Sequence, residues 1–151
     1  MLRLDYSLSP AWKGPAGAAL ADADEWALRY DCFLGDVTFM VFEVDLSAKW
    51  GWVPVLDFAL SLDSIVDALA VGDGAEGLFE FTESDAAISF RRVGDAIEIE
   101  ASYVPGLARV GYPDLRGAAK RFLLRVLEDL VGQHPDLGAN PFIARVLTAS
   151  S

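Results

Sequence analysis

Between Ile88 and Ala101, apolar and polar residues alternate on both sides of Gly94-Asp95. Ile88, Phe90, Ile97, Ile99 and Ala101 take one set of positions, and Ser89, Arg91, Glu98 and Glu100 take the other. A period of two is that of a half-buried strand. With Gly94-Asp95 as a two-residue turn, Arg91 stands opposite Glu98 and Phe90 opposite Ile99. Charge then meets charge on one face and apolar meets apolar on the other, so one register satisfies both faces. Phe79 and Phe81, alternating with Glu80 and Thr82, extend the hairpin into a meander. Such a sheet has one apolar face and requires a covering layer.

That layer is expected from helices. Leu62, Ile65, Val66 and Leu69 fall at helical spacing after Ser61, with Ser61 or Ser64 as cap and Gly72 as stop; Pro54 marks an earlier alternative start. Pro113-Asp114 opens the longest helix, to about Gly132, with Leu115, Ala119, Phe122, Val126 and Leu130 as its core stripe. Arg116, Lys120, Arg121 and Arg125 flank that stripe, their stems covering apolar surface while the charged heads stay wet. Asn140-Pro141 is a cap and first turn for a short final helix through Leu147.

The first part of the chain reads as strands. Leu2–Leu8 is one, and Ser9–Asp24, rich in Pro, Gly and Ala, is a loop with a short helical turn. Trp26, Leu28, Tyr30 and Cys32 alternate with smaller or charged residues and predict a second strand. Gly35-Asp36 then serves as the turn, and Val37–Leu46 as the returning strand. That pairing puts Tyr30 opposite Val41 and Cys32 opposite Phe39. The other face of the returning strand carries Thr38, Met40, Phe42 and Val44, joined by Phe33, so this strand is apolar on both sides and needs cover on both. The fold class is α+β: one domain over 1–151, an antiparallel sheet of about five or six strands packed by two main helices and a short C-terminal one.

Composition excludes several function classes. A hydrophobic fraction of 53% supports a packed core, yet no apolar run reaches the roughly 20 residues of a membrane span. Lys+Arg 12 against Asp+Glu 23 gives a net charge of -11, a field that repels nucleic acid and anionic membranes and attracts cationic partners. One cysteine, Cys32, makes no internal disulfide, and Met1–Asp5 lacks the layout of a signal peptide, so a cytoplasmic setting is expected. The bias toward Arg over Lys and toward Ala fits a GC-rich bacterial genome.

No catalytic, metal or cofactor motif stands out. With one His and one Cys there is no set of His/Cys metal ligands, and a Cys32–His134 nucleophile pair lacks an orienting partner. His134 reads as a residue just past a helix end. Asp63 and Asp67, at i and i+4, read as a solvated acidic face. Gly72–Gly77 lacks the lysine and hydroxyl of a phosphate loop and the spaced ligands of a calcium loop, and reads as a helix-to-strand connection. Trp50-Gly51-Trp52, at the end of a strand and before Pro54, has two readings: closure of the core at the sheet's end, or an aromatic anchor for a partner.

Trp50-Gly51-Trp52-Val53-Pro54, Asp57-Phe58, Phe79–Glu83, Phe90–Asp95 and the closing Pro135 to Asn140-Pro141 together resemble, in layout over about residues 26–147, small actinobacterial proteins. Those are similar in size and acidity to the immunity proteins of bacterial polymorphic toxin systems. The resemblance carries over no functional residue. The expected function is a non-enzymatic protein-binding module, of immunity or antitoxin type, that binds a basic, toxin-like protein without a cofactor. Met40, Phe42, Trp50 and Trp52 are its candidate contact residues. The alternative is a small-molecule binder with an aromatic pocket between sheet and helices. Self-association through the Val37–Leu46 face is a further expectation.

Overall fold

The computed structural model describes residues 2–9 and 20–150. Two antiparallel four-stranded sheets carry the fold. β1 (Leu2–Leu8), β2 (Leu34–Val41), β3 (Val44–Asp45) and β4 (Ala48–Pro54) form the first; β5 (Glu76–Glu80), β6 (Ala87–Val93), β7 (Ala96–Ala101) and β8 (Val104–Gly111) form the second. α1 (Val55–Leu69) links the sheets, α2 (Tyr112–Gln133) follows the second, and α3 (Pro141–Ser150) ends the chain. The class is α+β as expected, with eight short strands in two sheets in place of five or six in one. The chain leaves β4 at Pro54 directly into α1, which connects one sheet to the other.

The meander has the expected register, Arg91 opposite Glu98 and Phe90 opposite Ile99, with Gly94 at φ 62 in the turn. β8 was not expected: Pro105 and Gly106 (φ 106) interrupt its alternation, although Ala108 and Val110 point inward. α1 begins after Pro54, well before Ser61, and its entire first stretch from Val55 to Leu60 is buried. Ser61 is therefore no cap; its hydroxyl donates to Asp57 Oδ1. The whole expected stripe of α2 is buried. Asn140 caps α3, accepting from the Phe142 and Ile143 amides, and its own Nδ2 donates to the Leu20 and Ala23 carbonyls.

Three expectations fail between Trp26 and Leu46. Trp26–Cys32 is not a strand; Ala27–Asp31 is a turn of π-helix. Asp24 accepts from the Ala27 amide and starts the turn. Leu28 and Cys32 then go inward, while Trp26, exposed, meets Tyr30 in a tilted ring contact at 5.1 Å. In a strand these four side chains would share one face; on the helical turn residues two apart fall on opposite sides, so the period of two in the sequence does not report a strand here. Gly35-Asp36 is not a turn but lies within β2, opposite Leu8 and Ser7. A Cβ on Gly35 would collide with the Ser7 carbonyl oxygen, so glycine is required there by close strand approach.

The strand expected over Val37–Leu46 breaks at Phe42-Glu43, where Val41 pairs with Val44 across a two-residue turn. Val37, Phe39 and Val41 face the core. Thr38 and Met40 are half-buried on the other face, Phe42 is at the turn and Val44 belongs to β3. The loop expected over Ser9–Asp24 falls largely on residues 10–19, outside the described residues; Leu20–Asp22 is a short 3-10 turn.

The core is organised around Phe58 of α1, whose ring meets Phe39 of β2 at 6.2 Å, Phe79 of β5 at 5.2 Å and Phe122 of α2 at 6.1 Å. Phe39 and Phe90 close the two sheets on each other at 6.5 Å. From Phe79 the ring contacts continue outward through Phe81 to Trp50.

Candidate functional site

β4 departs from its ladder just where the two tryptophans lie. Gly35 pairs with Val53 and Val37 with Ala48, so Lys49 to Trp52 stand opposite Asp36 alone. Such an excursion leaves backbone groups without ladder partners. Asp36 Oδ1 fills the gap by accepting from the Gly51 amide at 2.8 Å, and Gly51, at φ 80, supplies the left-handed backbone that the excursion needs. Trp50 and Trp52 project together from it, their rings stacked at 5.2 Å and 25°.

Trp50 meets Phe81 and Tyr103 edge to face, each at 5.0 Å. Tyr103, in the β7–β8 turn, donates its phenol proton to the Leu46 carbonyl at 2.6 Å. Burial, with the nearby Asp45 carboxylate, pushes that phenol well above its ordinary range. Trp50, Trp52 and Tyr103, with Ser84, Asp85 and Ala86 of the β5–β6 loop and Ser102, line an open depression of about 700 Å³. The Ser84 and Ser102 hydroxyl oxygens accept from the Ala86 and Ala87 amides and brace its polar side. Asp85 is exposed and in no ion pair among the described residues. The two tryptophans thus serve both sequence readings: their inner contacts close the core at Phe81, and Trp50 remains 37% exposed.

The structure does not bring Met40 and Phe42 to this place. Met40 lies on β2 between Arg3 of β1 and Asp45 of β3. Phe42, 60% exposed at φ 54, borders a different depression of about 370 Å³ with Leu2, Val110, Pro113, Ala118 and Arg121. The two depressions share no lining residue.

The other titratable groups singled out in the sequence are committed to structure. Cys32 is buried, and burial with the Asp31 charge pushes its thiol up, away from the thiolate that a nucleophile needs. His134 ends α2, its amide donating to the Leu130 carbonyl and its ring lying against Phe33 at 5.8 Å. Asp63 and Asp67 are not simply solvated: Lys120 of α2 reaches both, at 3.0 and 3.6 Å. Among the described residues no three His, Cys, Asp or Glu side chains converge as metal ligands, and no helix is long and apolar enough to cross a membrane.

Sequence reasoning found Trp50 and Trp52 but missed Tyr103 and Asp85, which reach the site only through the β7–β8 turn and the β5–β6 loop. The signal for Tyr103 was the turn at Ser102 and Tyr103, hidden because β8 itself was not recognised. No protein-family model, curated protein or solved structure matches the chain.

Proposed function

We propose that the protein is a non-enzymatic binding module that occludes a basic protein, as an immunity or antitoxin protein does, in a bacterial cytoplasmic setting. The observation that carries this reading is the β4 excursion, which spends ladder hydrogen bonds and a left-handed glycine to hold two stacked indoles at the surface. Tryptophans at the centre of an interface often dominate its binding energy. The net charge of -11 supplies steering toward a cationic surface.

The alternative of a small-molecule pocket between sheet and helices finds less support, because the aromatic depression is open and is lined by strand β4 and two strand connections. The test is affinity capture from the cells that make the protein, with wild type and Trp52→Ala compared at low and high salt. A basic protein held by wild type at low salt and lost from the variant supports the reading. Identical capture by both, or an acidic partner, contradicts it.

A further inference from the structure

We infer that the depression formed by Trp50, Trp52, Tyr103 and Asp85 receives an arginine side chain projecting from the partner protein; this rests on the reading that the partner is a basic protein. Three electron-rich rings and one exposed carboxylate, Asp85, line the depression. An aromatic face attracts a cation through the ring quadrupole, tryptophan most strongly, and a carboxylate alongside adds a charge-assisted hydrogen bond. Arginine fits better than lysine because a planar guanidinium stacks on a ring while presenting its edge to a carboxylate.

The chain's own arginines show the same preference. Arg92 sits over Tyr112 at 4.4 Å, and Arg125 over Tyr6 and Phe122 at 5.7 Å each. Among the described residues no cation lies over Trp50, Trp52 or Tyr103, and none pairs with Asp85. The nearest lysine in sequence, Lys49, acts on Asp45. Both halves of a guanidinium site are thus in place, rings and carboxylate, with no cation among the described residues to occupy them.

The test follows the indole N–H signals of the full-length 15N-labelled chain, assigned by Trp→Phe substitution, as a capped Gly-Arg-Gly peptide is added. The control peptide carries citrulline, which has the same shape without the charge. The arginine peptide should shift the Trp50 and Trp52 signals saturably, with the citrulline peptide at least about tenfold weaker. Asp85→Asn should weaken the arginine peptide by about three- to tenfold, and Phe42→Ala, in the other depression, should leave it unchanged. Equal shifts from both peptides, no shift from either, or indifference to Asp85→Asn overturns the assignment. If the peptides fail while Trp52→Ala still loses the captured partner, the arginine site falls and the protein-binding reading stands.

Discussion

Asp36 accepts a hydrogen bond from the Gly51 amide at 2.8 Å, and this contact closes the gap left where four residues of β4 stand opposite one of β2. Asp36→Ala should cost about 1 kcal/mol of stability and loosen the Trp50–Trp52 stack, whereas Asp36→Asn, which keeps an acceptor, should cost less. Urea unfolding measures the first effect, and near-ultraviolet circular dichroism, sensitive to coupled indoles, measures the second. An unchanged aromatic spectrum in Asp36→Ala would show that the excursion holds itself without this bond.

Arg29 fastens the π-helical turn to α1. Its Nε donates to Asp57 at 2.7 Å, Nη2 to Ser61 at 3.2 Å and Nη1 to Glu25 at 3.0 Å. Asp57 is only 4% exposed, so Arg29→Met strands a buried carboxylate with Ser61 as its remaining side-chain partner. Because Arg29 itself keeps some solvent contact, the loss should be about 2–3 kcal/mol, at the lower end for a buried pair. Asp57→Asn in the same chain should recover part of it. A shift below about 0.5 kcal/mol in Arg29→Met, the range of an ordinary surface change, would refute the role given to this pair.

Phe42 occupies a left-handed backbone conformation, φ 54, at the first position of the β2–β3 turn, where glycine is the unstrained residue. Since its side chain is largely exposed, Phe42→Gly removes backbone strain at little loss of packing. The variant should be as stable as wild type or up to about 1 kcal/mol more stable by thermal unfolding. A clear loss of stability would mean that the ring contributes packing through the depression beside Leu2 and Val110.

Acid lowers stability in part through the β3–β4 turn. Hydrogen bonds from the Ser47 hydroxyl and amide, against some burial, hold the Asp45 carboxyl below the usual carboxylate range, with Lys49 adding to the effect. A depressed native value means stability that is complete above the unfolded value of about 3.9 and is lost as the pH falls through the lower native one. Asp45→Asn should therefore destabilise the protein at neutral pH and flatten its stability profile between about pH 4 and pH 2. A profile parallel to wild type over that interval would contradict the assignment.

The parts of the fold that could be read from the sequence are those in which one local pattern admits one structure. The β6–β7 hairpin was legible because charge and apolar positions agree on a single register around Gly94. α2 was legible because its stripe repeats over the whole helix. The stretch from Trp26 to Leu46 was misread where a pattern had two physical causes. Trp26, Leu28, Tyr30 and Cys32 share the period of a strand face, yet in the helical turn Leu28 and Cys32 go inward and Trp26 stays exposed, and Gly35 marks close approach to Ser7 instead of a reversal. Trp50 and Trp52 announced the site by their bulk. Tyr103 and Asp85 belong to connections whose positions depend on the second sheet meeting the first, which no local pattern encodes.

Amide hydrogen exchange of the full chain, free and with its captured partner, tests most directly whether the aromatic depression is the binding site. Partner binding should slow exchange in three segments brought together there: β4 from Ala48 to Pro54, the β5–β6 loop around Ser84–Ala86, and the β7–β8 turn at Ser102 and Tyr103. Protection confined to other surfaces, such as the β2–β3 turn at Phe42 or the outer face of β5 and β8 at Leu78 and Leu107, with these three segments unchanged, would contradict the account.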